Sequence, residues 1–271
     1  MTTHVLDRDS VATQFHRRTA SRSLFFAAMS GVSLFIVLSG FTPTLYLRPL
    51  FSPPAIPGYL FLHGIVLTSW FTWLCVQTLL IRSGRTALHR RLGVAGAVLA
   101  AAVPFAGLLA TAGVVGRVVA SGIDLNADAS VLVGIGVSGV PVVQFLSGVV
   151  WSNLSSAVSF AVLAWTGLLL RRRPAAHKRL MLLATIAILG PALARLARLP
   201  YFGGEGGPFV LIVTFALLGV VIVHDVATMR KIHPATVLGI LFPAGLFIVC
   251  TAISTTDVGL GLVRWLQTNP L

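Results

Sequence analysis

Charged residues are scarce in this chain. Of its 271 residues, 10% are charged and 56% are hydrophobic, whereas a soluble domain carries roughly a quarter charged residues. A soluble protein of this size needs many charged side chains on its surface, but here long apolar runs are separated only by short polar segments. The composition therefore predicts an integral membrane protein and excludes an ordinary water-soluble enzyme.

Cysteine is also scarce, since Cys75 and Cys250 are the only two and each lies inside an apolar run. They form neither a disulfide framework nor the C-x-x-C spacing of a zinc site, and we interpret them as buried thiols. The phosphate-binding loop, the G-x-S-x-G elbow and the H-E-x-x-H motif are absent as well. Because the loops are too short for a soluble catalytic domain, any chemistry must occur in the bilayer or at its edges.

Acidic residues are the rarest charged class, with 7 Asp and Glu against 20 Lys and Arg. None lies in the middle of an apolar run, which removes the carboxylate relay that many proton-coupled pumps and transporters use. The net charge of +13 could suggest nucleic acid. The basic residues, however, fall in short clusters between apolar runs and form no continuous face, so we expect no nucleic-acid partner.

Seven apolar runs have the length of transmembrane helices. They lie near residues 24–41, 58–81, 92–116, 149–170, 180–199, 208–228 and 236–255. Since a bilayer core requires about 20 apolar residues per helix, we predict an all-α fold, a polytopic membrane helix bundle of about seven transmembrane helices. The single transmembrane domain, 24–255, would lie between a basic tail, 1–23, and a short tail, 256–271.

Positive charge predicts the orientation of the bundle. The first tail and the segments 82–91, 171–179 and 230–231 hold 15 of the 20 Lys and Arg residues. By the positive-inside rule these segments face the cytoplasm. We therefore expect an N-in, C-out protein of a bacterial-type cytoplasmic (inner) membrane, surrounded by the bilayer and with anionic lipids as partners at its cytoplasmic face.

The stretch 131–146 is apolar, but we do not predict an eighth helix there. A further crossing would move the basic segment 171–179 to the outside, and three glycines together with Pro141 make a poor continuous helix. We expect a re-entrant or interfacial segment on the outer face. Its backbone must be covered by protein or water, because lipid cannot satisfy its amides.

A recurrent phrase marks the three predicted cytoplasmic loops, in which basic residues are followed by a histidine just before the next helix. The phrase reads His89-Arg-Arg-Leu in the first loop, His177-Lys-Arg-Leu in the second and His233-Pro in the third. The similarity of the first two suggests that the bundle is built from repeated helical hairpins. His224, one turn inside the end of the sixth predicted helix, joins the same layer.

Two interpretations of this histidine layer are open. Such residues commonly solvate helix ends and contact lipid phosphates. Alternatively, two or more of the four imidazoles ligate the iron of a haem b or another transition metal, for which imidazole is the commonest ligand. In that case His89, His177 and His224 are the candidate metal ligands, and His233 is a further candidate for cofactor binding.

His63 differs from these residues because it lies one turn inside the outer end of the second predicted helix. At spacings of three and four it belongs to a stripe that should face the bundle interior: Tyr59, His63, Val66, Trp70, Trp73 and Gln77. There His63 either bonds a backbone carbonyl beside packed tryptophans or lines a pocket for a haem, a quinone or a lipid-like substrate. Arg195 either extends to the outer headgroups or turns inward to hold a carboxylate, such as a haem propionate, near His63.

Two segments carry a resemblance to known proteins, namely His63-Gly64 through Gln77 to His89-Arg90-Arg91-Leu92-Gly93, and His177-Lys178-Arg179-Leu180-Met181. They resemble a broad group of uncharacterised bacterial multi-pass membrane proteins. The His-basic-Arg-Leu-Met phrase is also similar to that of proteins that assemble haem–copper oxidases, and the His-basic-x-Leu-Gly phrase to that of b-type cytochrome and ferric-reductase-like membrane domains. Unlike dihaem cytochromes, which pair histidines at both faces, this chain has only His63 near the outer face.

Three functions are consistent with these residues. The first is a haem- or metal-binding redox-type membrane protein that uses the inner histidines, His63 and Arg195. The second is a non-catalytic accessory or assembly protein of a membrane complex, whose basic face docks its partner. The third is a transporter of a small solute or a lipid, which would leave little trace in the sequence if it works by facilitated diffusion.

Overall fold

Helices dominate the residues that the computed structural model describes, which are 8–51, 55–132, 136–199 and 206–270. In these ranges the α-helices are α1 (Arg8–Phe41), α2 (Arg48–Phe51), α3 (Gly58–Arg82), α4 (Thr86–Ala120), α5 (Val142–Leu169), α6 (Pro174–Ala187), α7 (Gly190–Ala197), α8 (Gly206–Met229), α9 (Pro234–Ser254) and α10 (Asp257–Thr268). A π-helical turn, Thr42–Tyr46, continues α1, and a 3-10 turn lies at Ala129–Val131. The same ranges contain no β-strand, so the all-α prediction is confirmed.

Within the described ranges six helices are long and apolar enough to cross a membrane, and the bent pair α6–α7 makes a seventh if it counts as one span. The chain is therefore a multi-pass membrane protein, with the spans close to their predicted positions. The main differences lie at helix ends. Helix α1 extends back to Arg8 into the predicted tail, whose first seven residues lie outside the described ranges, and α4 and α5 begin at Thr86 and Val142, several residues before their predicted starts.

The fifth span is broken, whereas the sequence predicted one continuous helix over 180–199. Helices α6 and α7 meet at an angle of 47°. Pro191, in the first turn of α7, has no N–H and cannot donate the helical hydrogen bond to the carbonyl four residues earlier. The backbone closes the break with shorter-range bonds, such as that from Leu189 N–H to the Ile186 carbonyl at 3.1 Å.

Successive spans run in opposite directions, so the three loops that join α3 to α4, α5 to α6 and α8 to α9 lie at one end. We call this the basic end, and the other the opposite end. Helix α1 packs against α3 and α7, α5 packs against α4, α6 and α9, and α7 packs against α8. The main core is centred on buried side chains of α3, α5 and α6, among them Trp70, Phe160 and Leu180.

A second, smaller core closes the opposite end. It joins buried residues of the segment between α4 and α5 to the first turns of α5 and to α10: Leu125, Ala129, Leu132, Val142, Leu146, Val263 and Leu266. Backbone bonds such as that from Val143 N–H to the Leu125 carbonyl, at 2.8 Å, fold the segment back onto α5. Within the segment 131–146, residues 142–146 belong to α5, and residues 133–135 lie outside the described ranges. Helix α10, in the predicted tail 256–271, was not predicted.

Candidate functional site

The stripe predicted on α3 faces the bundle interior. Trp70 is 2% exposed and Gln77 8% exposed, and the other members, Tyr59, His63, Val66 and Trp73, are half-buried. Trp70 donates from Nε1 to Thr185 Oγ1 at 3.1 Å, so the ring is both packed and hydrogen-bonded. The stripe therefore connects the opposite end, at Tyr59, to the basic end, at Gln77.

The most strongly bonded polar group at the basic end is the Asp225 carboxylate, which is fully buried. Arg179, only 2% exposed, donates to Oδ1 from Nε at 2.9 Å and from Nη2 at 2.5 Å. The other oxygen, Oδ2, accepts from Thr236 Oγ1 at 2.6 Å and from the His233 backbone N–H at 3.0 Å. One carboxylate thus joins α6, α8 and the start of α9, and we call these four residues the Asp225 network.

The sequence did not identify this network, because its two charges are 46 residues apart and Arg179 looked like one basic loop residue among many. The available signal was Asp225 itself, an acid inside an apolar span of a chain with seven acids. A charge in such a position is ordinarily paired or functional. The network could hold the basic end together and keep it closed.

His233 caps α9 and does not present a free imidazole. Its Nδ1 accepts a hydrogen bond from Ala235 N–H at 3.0 Å, which satisfies one of the unpaired donors at the start of a helix. Burial lowers the pKa of this imidazole below its ordinary value, and the nearby Arg179 charge lowers it further. Binding a cofactor through Nδ1 would break the cap.

His89 and His177 come together at the basic end, with ring centroids 6.5 Å apart in an edge-on arrangement. His177 Nδ1 lies 2.8 Å from the Gly167 carbonyl. Because a carbonyl only accepts, Nδ1 carries the proton and Nε2 keeps its lone pair. The first and second loops therefore place one imidazole each in the same small region.

The surroundings of His89 indicate the other tautomer. The Gln77 amide fits its neighbours when its nitrogen donates to His89 Nδ1, at 2.5 Å, and its oxygen accepts from Trp73 Nε1, at 3.3 Å. Nδ1 of His89 is then an acceptor, so the proton sits on Nε2. For His89 to offer Nε2 to a metal, the Gln77 amide would have to turn away from this arrangement.

His224 lies in a different environment. Its ring stacks on Phe25, with centroids 3.7 Å apart and planes 3° from parallel, and it meets Phe26 edge-on at 5.6 Å. Among the described residues no three His, Cys, Asp or Glu side chains gather as metal ligands. The structure thus brings together His89 and His177 of the predicted metal ligands, but not all three.

At the opposite end, His63 bonds a backbone carbonyl, as one of the two sequence interpretations expected. Its Nδ1 lies 3.0 Å from the Ala106 carbonyl of α4. One turn away on α3, Tyr59 accepts a hydrogen bond from Arg117 Nη1 at 2.5 Å and donates to the Gly113 carbonyl at 3.4 Å. The Tyr59 hydroxyl occupies the space that a Cβ at Gly113 would fill, so a larger residue there would displace the Tyr59 ring.

Arg195 turns toward this group of residues. Its guanidinium lies 4.4 Å from the centroid of the Phe41 ring and donates from Nη1 to the Pro191 carbonyl at 3.1 Å. Its charge interacts with that of the neighbouring Arg198, with that of Arg117 and with the His63 ring. Among the described residues neither arginine is paired with a carboxylate. Arg117 is a member that the sequence analysis missed, although a lone arginine closing an apolar run was a visible signal.

The two ends of the bundle therefore offer different chemistry. The basic end has a fully satisfied carboxylate and a pair of imidazoles, whereas the opposite end has what we call the opposite-end cluster: Tyr59, His63, Arg117 and Arg195. That cluster has donors and positive charge and could hold an anion. No protein-family model, curated protein or solved structure matches the chain, so the inference of function rests on these residues and their geometry.

Proposed function

We propose that this membrane protein binds and carries a small or lipid-like solute whose head is a carboxylate or a phosphate. The observation that carries the proposal is the opposite-end cluster, in which the charges of Arg117 and Arg195 interact and neither has a carboxylate partner among the described residues. Two half-buried like charges repel each other in surroundings that screen them less than water does. A bound anion removes that repulsion.

The donors of the cluster suit such a head. A guanidinium presents a planar fork of N–H groups that matches carboxylate and phosphate oxygens. With Nδ1 of His63 donating to the Ala106 carbonyl, its Nε2 keeps a lone pair and accepts from water or from a protonated head, so the two guanidiniums supply the donors for the anion. The cluster lies at the opposite end of the bundle, where α3 begins and α4 and α7 end. The apolar part of a ligand would therefore extend along helices that face lipid.

The break in the fifth span supports transport rather than static binding. Arg195 lies on α7, a helix of eight residues set at 47° to α6. A short segment joined by a proline-containing bend can change its angle without unfolding the rest of the span. Meanwhile the Asp225 network holds α6, α8 and α9 together at the basic end, which is the closed side that a carrier needs.

Binding of hexyl phosphate to the purified protein in nanodiscs tests the proposal. We expect saturable binding by calorimetry, weakened at least tenfold in Arg195→Gln and in Arg117→Gln. Arg264→Gln, an exposed arginine on α10 at the same end of the bundle, is the matched control and should bind like the unaltered protein. Equal weakening in all three variants, or no saturable binding, would contradict the proposal.

Uptake into vesicles separates a carrier from a binding protein. Proteoliposomes should accumulate labelled hexyl phosphate faster than empty vesicles, and Arg195→Gln should abolish the difference. Hexyltrimethylammonium, of the same chain length but opposite charge, should not be taken up. Binding without uptake would retain the anion site but contradict the transport step.

A second candidate function keeps the predicted metal or haem chemistry at the His89–His177 pair. The supporting observation is the 6.5 Å separation of the two ring centroids, which brings one imidazole from each of two loops into the same small region. Metal analysis and the absorption spectrum of the purified protein test it. Bound metal or a Soret band that is lost in His89→Ala and His177→Ala but kept in His224→Ala would support the pair, and a colourless, metal-free protein from metal-supplemented cells would contradict it.

A further inference from the structure

A groove lies at the basic end of α3, far along the helix from the opposite-end cluster. Its volume is about 520 Å³, and its lining residues are Val76, Leu79, Leu80, Arg82, Ser83 and Arg85. The groove is shallow and open, and its apolar part is exposed toward the membrane, since Leu79 is 53% exposed and Val76 36% exposed. Two arginines, both exposed, line the rest of it.

The chain holds the two arginines in a fixed relation. Helix α3 ends with two backbone bonds, from Gly84 N–H to the Ile81 carbonyl at 3.2 Å and from Arg85 N–H to the Leu80 carbonyl at 2.9 Å. This pair of bonds is the Schellman arrangement, which needs a residue in the left-handed region. Gly84 supplies it with φ of 74°. The rigid turn brings Arg85 back beside the last turn of the helix, which carries Arg82.

We propose that this groove binds one anionic phospholipid of the adjacent leaflet. The phosphate would lie between Arg82 and Arg85, and an acyl chain would lie along Val76 and Leu79. Neither arginine has a carboxylate partner among the residues described, so both guanidiniums are available for phosphate oxygens.

The position of the groove favours a lipid over other anionic partners. Arg82 is the last residue of the span Gly58–Arg82, which is the depth at which lipid headgroups meet a transmembrane helix. The exposed apolar wall continues toward the centre of the bilayer. An occupant must therefore be charged at one end and apolar along its length, as a phospholipid is.

Native mass spectrometry of the protein released from nanodiscs tests the site. In nanodiscs of phosphatidylcholine containing phosphatidylglycerol, we expect one retained phosphatidylglycerol per chain. In the variant Arg82→Gln/Arg85→Gln, the abundance of this adduct should fall at least tenfold. The variant Arg171→Gln/Arg172→Gln removes two exposed charges from the second loop and should keep it. Equal loss in both variants would mean diffuse surface charge and overturn the proposal, as would equal retention of phosphatidylcholine.

Two further measurements distinguish a binding site for a lipid from one for a free phosphate. Glycerol phosphate carries the same head without acyl chains and should not displace the lipid at millimolar concentration; if it does, the site is one for free phosphate. Leu79→Asn keeps both arginines but breaks the apolar wall, and it should reduce the lipid adduct with no loss of folded protein by gel filtration. Because the residues differ from those of the opposite-end cluster, binding of hexyl phosphate to that cluster can fail while this site stands.

Discussion

The first and second loops of the basic end share the phrase His-basic-Arg-Leu but use its arginine differently. Arg91 is exposed on α4, whereas Arg179 is buried and pairs with Asp225. The two arginines hold the same place in the phrase, so the difference arises from their neighbours: α6 packs beside α8 and α9, and α8 presents a carboxylate there. A shared sequence phrase thus predicts a shared local position without predicting a shared interaction.

The largest expected effect is on stability when the buried pair is broken. Arg179→Ala leaves the Asp225 charge buried and uncompensated, and we expect it to reduce the free energy of unfolding by about 3–5 kcal/mol. Arg91→Ala, at the equivalent exposed position, should change it by less than about 0.5 kcal/mol. Thermal unfolding of both variants in detergent, followed by size-exclusion chromatography, measures the difference.

The control for this comparison removes both charges. Arg179→Met combined with Asp225→Leu leaves no charge buried alone, and it should recover most of the lost stability. If Arg179→Ala and Arg91→Ala unfold at the same temperature, the two loops are equivalent and the contrast between them is wrong.

A smaller effect is expected from Thr236, the member of the network on α9, which donates to Asp225 Oδ2. Thr236→Val keeps the shape of the side chain but removes the donor, and we expect a loss of about 1–3 kcal/mol because a buried acceptor is left partly unsatisfied. Thr236→Ser should retain the bond. Thr111→Val is the matched control, since that hydroxyl bonds only the Gly107 carbonyl of its own helix and should cost far less under the same unfolding assay.

His233, the histidine of the third loop, should contribute about 1 kcal/mol to the free energy of unfolding as a helix cap. His233→Ala removes the acceptor for Ala235 N–H and should destabilise the protein by that amount, whereas Asn, itself a good cap, should restore it. Comparable losses in the Ala and Asn variants would mean that capping is not what His233 contributes.

The same cap makes stability depend on pH. Because the pKa of His233 is lowered in the folded protein, the unfolded chain binds the proton more readily. The stabilisation by the His233 cap is present at pH values above the unfolded-state pKa of about 6.5. It is lost as the pH falls through the pKa that His233 has in the folded protein. The unfolding temperature of His233→Asn should therefore decline less than that of the unaltered protein on acidification below pH 6.5. Parallel curves would contradict this.

The smallest effect concerns only which ring nitrogen carries the proton in His89 and in His177. Since Nδ1 of His177 donates to a carbonyl and Nδ1 of His89 accepts from Gln77, the two histidines should be opposite tautomers, with no change in stability involved. Nitrogen NMR of selectively labelled protein should show His177 protonated at Nδ1 and His89 at Nε2. Gln77→Leu should alter the His89 signals alone. Identical tautomers at both positions would contradict the assignment of the Gln77 amide.

Much of the fold was predictable because each span carries its own signal. About 20 apolar residues are enough to identify a transmembrane helix wherever its neighbours lie, and the α3 stripe followed from spacing alone. Features that depend on a few residues were missed. The bend at Pro191 was hidden in an otherwise apolar run, and α10 is a short helix that is buried on one side only, in a segment taken for a tail.

The candidate site was predictable only in part, for a different reason. Sequence patterns identified His63, His89, His177 and Arg195 as residues of interest, since unusual side chains stand out among apolar ones. They did not show which of them meet, because contacts between spans depend on the order in which helices pack. His89 meets His177, His224 meets Phe25 instead, and the partners of Arg179 and Arg195 became visible only in the folded bundle.

The Asp225 network also has a consequence for the order of events during synthesis. Arg179 emerges from the ribosome 46 residues before Asp225, so α6 enters the membrane before its charge has a partner. An arginine near a helix end remains at the headgroups until it can be neutralised. Helix α6 must therefore reach its final position after α8 has been inserted. The fourteen-residue α6 thus depends for its packing in the bundle on a helix that is synthesised after it.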